Sequence, residues 1–501
     1  MSSLLLLAPM GLEARALRRG ASRARILRTG VGPRRARTAA ARASACDAAA
    51  VAVVGFAGAL SPELEPGDVV VATELRRRDG STVAMCPGSG VIAAMLRRRG
   101  LTVHTGPLVS VQAPALGASR RRLSELGALA VDMESAWLAG AAGGRALAVV
   151  RVILDTPERG LNRPMATLAG FRRAARSLTA VAGPLEEWAD AVAPRQLVLA
   201  GPRASCAGVE RAIEAVERAL DRYGAPVYMR KEIVHNRHVV SALERRGAVC
   251  VDELHEVPTG STVVFSAHGV SPAVREQARA RQLNVIDATC PLVSKVHAEA
   301  RRFAARDYTV VLVGHEGHEE VEGTSGEVPD HIRVIASEED VDQLQVVDPG
   351  RVAYLTQTTL AVDETQGIVS RLRERFPGAA GPATDDICYA TQNRQDAVKA
   401  LARSCDLVLV VGSRNSSNSN RLVEVAERHG CPARLLDDES EIDLAWLRDA
   451  RRIGVTAGAS VPERIVQQVL GELQILGPAE VSVESVADEA VSFALPREVR
   501  E

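Results

Sequence analysis

Cys206, Cys290 and Cys388 stand in three well-separated polar strings, GPRASCAGV, VIDATCPLV and DDICYATQN, and none has a second cysteine within four residues. Their neighbours include Arg, Asp, Thr, Gly and Asn, unlike the apolar surroundings of a cysteine that merely packs. Three thiolates gathered from distant positions can hold three corners of an iron–sulfur cube and leave a fourth iron open to substrate. Zinc accepts three thiolates plus a histidine or water equally well, so spacing alone leaves both metals open. The other five cysteines, Cys46, Cys86, Cys250, Cys405 and Cys431, read as small buried hydrophobes.

A second set of side chains could bind an anion. His235 lies in KEIVHN, His268 in SAHGV, and His315 and His318 in GHEGHEE; Ser416, Ser417 and Asn418 fall in NSSNSN, and Ser460 in GAS. Imidazole, hydroxyl and amide donors, with backbone N–H groups at helix starts, can hold a diphosphate without lysine. No GxxxxGK[ST] string is present, which argues against a P-loop nucleotide site. Glu320, two residues after His318, and the hydroxyls of TQTT (Thr356–Thr359) could relay a proton beside such an anion. The plainer readings are a helix cap for NSSNSN and a solvated carboxylate for Glu320, which has Glu316, Glu319 and Glu322 as neighbours.

These groups need strand ends to hold them. LVLAGPRASC, VVFSAHGVSP, VVLVGHEGHEE, LVLVVGSRNSSNSN and IGVTAGAS each run from β-branched or apolar residues into small and polar ones. That alternation with helical stretches marks an α/β protein, in which ligands bind beyond the carboxyl ends of parallel strands. Five such strand ends predict one shared polar cavity. A change of character at residues 190–197, where EEWADAVAPRQ gives way to a new apolar run, predicts a boundary. The expected division is a domain over 1–190, a linker over 191–196 and a second domain over 197–501. Nine of the ten histidines and all three motif cysteines lie in the second part.

Composition bounds the rest. At 501 residues, more than one core is expected. A net charge of −1 supplies no global field toward nucleic acid or membrane, and 3% aromatic residues offer few base-stacking surfaces. No apolar run reaches the ~20 residues that span a bilayer. Leu4–Leu7 reads as a first strand rather than a signal sequence. Residues 14–45, with ten arginines and no acid, read as a basic helical region rather than a transit peptide. Eight scattered cysteines suggest a reducing cytoplasm.

The strings EIVHN, FSAHGVSP, DATCPLVSKVH, GHEGHEEVEGTSGE, TQTTLAVDET, DDICYATQNRQ, VVGSRNSSNSNRL and GVTAGAS occur in that order. Together they resemble the 4-hydroxy-3-methylbut-2-enyl diphosphate reductase family from about Leu197 to Glu498. The resemblance implies three α/β lobes in pseudo-threefold arrangement, roughly 209–290, 291–387 and 388–475 with 197–208, around a [4Fe-4S] cluster. Cys206, Cys290 and Cys388 match its three ligands, with one iron open to the allylic hydroxyl. His235, His268, His318, Ser416, Ser417, Asn418 and Ser460 match the substrate-binding set, and Glu320 with Thr358 the catalytic pair. The implied reaction is a two-electron reductive dehydroxylation of an allylic diphosphate to isopentenyl and dimethylallyl diphosphate, the last step of the methylerythritol phosphate route. Reduced ferredoxin or flavodoxin is the implied electron donor. Ala204-Ser205 replaces the usual Gly-Phe before the first cysteine, and Ala361 a usual Ser. A non-catalytic iron–sulfur redox sensor and a zinc hydrolase using the same cysteines are the alternatives.

APMGLEA, VVGFAGALSPELEPGDVVVA, VDMESA and RVILDTP are similar to the nucleoside phosphorylase and nucleosidase superfamily over about residues 3–185. On that resemblance Glu13 would position an attacking water, Met133 and Glu134 would hold a ribose, and Asp155 would protonate a departing base. Gly55–Gly58 would line the anion or water side. Glu134 as a helix-surface acid and Asp155 as a strand-end cap are the structural alternatives. The fusion suggests that the first domain acts in later isoprenoid metabolism, such as adenosylhopane processing.

Overall fold

The computed structural model describes residues 4–156, 164–192 and 194–500. It is mixed α/β throughout and divides into two compact units. One comprises residues 1–196, 439–451 and 468–480, and the other 197–438, 452–467 and 481–501. The sequence predicts one boundary at 190–197; the first unit also takes in residues 439–451 and 468–480.

The first unit is built on eight strands: β1 (Leu4–Ala8), β2 (Arg25–Arg28), β3 (Ala50–Ala59), β4 (Val69–Arg77), β5 (Thr82–Met85), β6 (Val103–Ser110), β7 (Ala130–Asp132) and β8 (Ala146–Asp155). The order is β2-β1-β3-β7-β6-β4-β5, and β8 pairs with both β3 and β4. The ladder β3–β7–β6–β4–β8 therefore closes on itself. All five residues of β1 are buried, the continuous apolar run expected of an interior parallel strand. Leu5, Leu7, Val51, Val53, Val149 and Ile153 share one core, each fully buried side chain contributing about 1.5–3 kcal/mol. A register shift at Ala57/Gly58 bulges β3 against β8, next to Asp155.

The second unit carries three sheets. β10 (Val227–Arg230), β11 (Ala248–Val251), β12 (Thr262–Phe265) and β13 (Asn284–Asp287), which follow β9 (Arg195–Gly201), form a parallel sheet in the order β11-β10-β12-β13. β14 (Thr309–Val313), β15 (Ile332–Ile335) and β16 (Val352–Thr356) form a second, also parallel, in the order β15-β14-β16. The third contains β17 (Leu407–Val411), β18 (Ala433–Leu436), β19 (Arg452–Ala457), β9 and β20 (Ala479–Ser485) in the order β18-β17-β19-β9-β20. β9 begins at Arg195, inside the segment expected to be a linker. No helix among the described residues is long and apolar enough to cross a membrane.

Candidate active sites

Each motif cysteine stands at the N-cap position of a helix. Cys206 precedes the helix Ala207–Tyr223, Cys290 the helix Pro291–Ala304, and Cys388 the helix Tyr389–Ser404. Helix N-termini carry partial positive charge, which favours a thiolate there. Cys206 follows β9 and Cys290 follows β13, as the sequence suggested. Cys388 departs from that pattern: it follows a long segment after β16, and its N–H bonds the Thr358 carbonyl at 3.1 Å. Its Sγ accepts from the Thr391 N–H at 3.3 Å. All three sulfurs open on one cavity of about 100 Å³, and a Cβ on Gly208 would lie 2.7 Å from Cys290 Sγ and 3.9 Å from Cys206 Sγ. Burial pushes the Cys290 thiol up to about 11 and the Cys388 thiol up to about 12. Without a metal these two sulfurs stay protonated at neutral pH.

The same cavity is lined by His235, His268, His318, Glu320, Thr358, Ser416, Ser417, Asn418 and Ser460. The residues matched to substrate binding and to the catalytic pair thus lie around one cavity. His315 is not part of the lining; its Nε2 meets Arg421 at 2.7 Å. His235 and His268 stack with ring centroids 4.2 Å apart, and His318 stands edge-on to both. His318 caps the helix Glu319–Glu327, and its Nδ1 accepts the Glu320 N–H at 3.2 Å. That bond leaves the proton on Nε2. Burial first, then the neighbouring histidines, hold His318 down to about 3, so it is a neutral donor.

Glu320 is buried, not solvated, at 2% exposure. One carboxylate oxygen accepts the Thr358 N–H at 2.7 Å and the other meets Thr358 Oγ1 at 3.1 Å. Burial outweighs both bonds and raises the group to about 7. Glu320 is therefore able to hold a proton at neutral pH, as an acid in a relay must. NSSNSN does cap a helix: Ser416 Oγ accepts the Ser419 N–H at 3.3 Å at the head of Ser417–Arg428. That helix start also faces the cavity, so the capping and anion-binding readings coexist. Asn418 Oδ1 accepts the Ala459 N–H at 3.0 Å, and Ser460 Oγ donates to the His235 carbonyl at 3.0 Å. Among the described residues, no lysine or arginine lines the cavity.

Ala204, in the loop before Cys206, adopts φ +62°, the left-handed region that suits glycine. Arg394, fully buried, grips this loop with Nη2 at 2.6 Å and Nε at 3.1 Å from the Ala204 carbonyl, and it pairs with Glu489 at 2.9 Å. Sequence reading missed Arg394, because its partners lie far away along the chain. It also missed Phe493, which reaches the cavity from the C-terminal segment.

The first unit has its own pocket, lined by Glu13, Met133, Glu134 and Asp155 among others. Glu13 reaches back to the Met10 N–H at 2.6 Å and accepts the Phe56 N–H at 2.7 Å. The first bond is that of a helix-capping acid. Glu134 accepts the Gly32 N–H at 2.9 Å and is buried rather than on a helix surface. Burial raises both carboxyls. Arg151, fully buried, lies 2.5 Å from Asp132 and 3.9 Å from Glu134. A Cβ at Gly55 would sit 2.6 Å from both Arg151 and Glu13, which is why that strand position needs glycine. Asp155 is held by Arg120 at 2.6 Å, a partner invisible in the sequence 35 residues away.

The LytB protein family profile matches residues 197–474, and the Phosphorylase superfamily profile matches residues 13–182. The 4-hydroxy-3-methylbut-2-enyl diphosphate reductase of Nocardia farcinica is 60% identical over 312 residues, 62% of this chain and 93% of that protein. The protein of the same name from Azoarcus is 58% identical over 306 residues, 61% of this chain and 98% of its own length. Among solved structures, the E-1-hydroxy-2-methyl-but-2-enyl-4-diphosphate reductase from Plasmodium falciparum is 37% identical with a TM-score of 0.59, covering 61% of this chain and 97% of that one.

Proposed function

We propose, from the premise that this chain belongs to the LytB protein family, that residues 197–501 reduce (E)-4-hydroxy-3-methylbut-2-enyl diphosphate to isopentenyl and dimethylallyl diphosphate. Two electrons and two protons enter, the allylic C–O bond breaks, and the hydroxyl leaves as water. The observation that carries this reading is one cavity in which three thiols at helix N-cap positions, a protonatable buried carboxyl and an array of uncharged anion donors converge. Cys206, Cys290 and Cys388 would hold a [4Fe-4S] cluster, which when bound supplies the electrons and Lewis acidity toward the leaving oxygen.

The donor set fits that group better than a single zinc. Among the described residues, the one His/Cys/Asp/Glu group of three or more whose ligand atoms all lie within 4.8 Å of one another is His235, His268 and Glu319. The three sulfurs are spread wider, whereas thiolates on one tetrahedral zinc sit about 3.8 Å apart. A sensor would need neither the anion donors nor Glu320. In this reading His235, His268, His318, Ser416, Ser417, Asn418 and Ser460 bind the diphosphate. Thr358 holds Glu320 at the hydroxyl end, and Glu320 hands its proton to the departing oxygen. Reduced ferredoxin or flavodoxin is the proposed donor and the cytoplasm the proposed compartment. Product analysis after anaerobic incubation with reductant tests the assignment. Both five-carbon diphosphates are expected, and their absence from cluster-loaded protein refutes it.

For the first unit, the Phosphorylase superfamily match and the carboxylate-lined pocket support nucleoside chemistry. Glu13 would orient water and Met133 with Glu134 would hold the ribose. Asp155 would serve the leaving base only if released from Arg120. Chromatography of a nucleoside panel, run beside Glu13→Gln, tests this. Base release by wild type alone supports it, and release by neither protein counts against it.

A further inference from the structure

The histidines of the reductase cavity are not equivalent, and what separates them is two carboxylates outside the anion-donor set. Glu319 Oε2 lies 3.1 Å from His268 Nδ1 and 3.4 Å from Ser266 Oγ. Glu232 Oε2 lies 3.3 Å from His235 Nδ1 and accepts from Asn415 Nδ2 at 2.8 Å. Both rings are thus tied at Nδ1, while His318 is tied at Nδ1 by a backbone N–H and cannot be charged without losing that bond.

We propose that Glu232–His235 and Glu319–His268 are proton-uptake pairs: the carboxylates hold Nδ1–H, aim Nε2–H into the cavity, and let this stacked pair gain a proton when a diphosphate binds. The proposal rests on the reductase reading of the cavity. Two imidazolium rings stacked at 4.2 Å repel each other. A carboxylate on each ring and a polyanion across the cavity offset that repulsion together, and the carboxylates alone do not. Charges facing the pair are few. Glu319 also feels Lys231, which itself lies 3.4 Å from Glu322, and His318 feels His315. Burial, the largest influence, holds His268 below the usual imidazole range, so the ring is neutral at pH 8 before the anion arrives. Glu232 is held below the ordinary carboxylate range chiefly by its bond from His235, and it stays ionised.

Glu232 and Glu319 are positioning residues, and a merely structural role would not couple binding to protons. The test is calorimetric titration of cluster-loaded full chain with isopentenyl diphosphate at pH 8, in two buffers of unlike ionisation enthalpy. Wild type should take up close to one proton per bound ligand. Glu319→Gln should lose at least half of that uptake. Its KM for the allylic diphosphate should rise about tenfold, the worth of a charge-assisted hydrogen bond, and rise more at pH 8 than at pH 6, with the loss falling mainly on KM. Glu232→Gln should do the same through His235. Binding without proton uptake, or uptake unchanged in both variants, overturns the proposal and leaves the reductase reading intact. No binding of isopentenyl diphosphate to wild type overturns both.

Discussion

Replacing Glu320 with Gln separates a proton donor from a packing residue. The side chain is buried, keeps its shape in the variant, and can still accept the Thr358 N–H now 2.7 Å away. The cluster and substrate binding should therefore survive. What disappears is a proton held by a group raised to about 7. Loss of a positioned acid costs about 10²–10⁴-fold in turnover, or about 3–5 kcal/mol on the barrier. The sign of the pH dependence follows from the same value. The acid form is required, so wild-type turnover is full below pH 7 and falls as pH rises through it. A group titrating at about 7 is about nine-tenths protonated at pH 6 and about one-tenth at pH 8, roughly a tenfold fall. Glu320→Gln should be slow and flat across that window. Anaerobic oxidation of reduced methyl viologen, followed by absorbance from pH 6 to pH 8, reads both numbers. Turnover of the variant within threefold of wild type, or an equal pH slope in both proteins, would refute the role.

Further consequences concern the loop, the ligands and the first unit. Ala204→Gly should stabilise the chain by about 1 kcal/mol, because relief of a left-handed alanine gains about 1–2 kcal/mol and the looser unfolded chain returns about 0.4–1; a thermal melt that drops would contradict it. Cys290→Ser should lose bound iron outright rather than slow turnover, as iron analysis would reveal. Reconstituting wild-type protein should release protons, since Cys290 and Cys388 are raised to about 11 and 12 and must ionise to bind metal; an unbuffered titration with no acidification would count against this. Gly55→Ala should destabilise the first unit by about 1–3 kcal/mol, because its Cβ would press on the buried Arg151 and Glu13; an unchanged urea midpoint would contradict the crowding.

Much of the second unit was legible because its chemistry sits at strand ends and helix starts, where apolar runs stop at polar strings. Cys206, Cys290, His268 and Ser416 all follow that logic. Cys388 did not, because a helix and a long loop separate it from the preceding strand. Glu320 was ambiguous from sequence: a string of acids looks solvated until a distant segment bearing Thr358 folds over it. Glu319 was invisible as a partner, since a carboxylate–imidazole pair formed across 51 residues leaves no local spacing; Glu232 stands three residues before His235 in KEIVHN, a short spacing that sequence reading passed over. In the first unit Glu13 and Glu134 were placed in a shared pocket. Arg151 and Arg120, which decide what the acids there are paired with, passed as ordinary strand and helix residues. The grouping of 439–451 and 468–480 with the N-terminal residues depends on packing that an alternating α/β pattern does not encode.

Cys206, Cys290 and Cys388, at three helix N-cap positions, are proposed to hold an iron–sulfur cube beside the diphosphate donors. Iron and acid-labile sulfide per chain, measured on anaerobically purified protein beside its absorption spectrum, test it most directly. Brown protein with about four iron and four sulfide per chain is expected, falling toward zero in Cys290→Ser. A colourless wild-type chain carrying one zinc and no sulfide would contradict it.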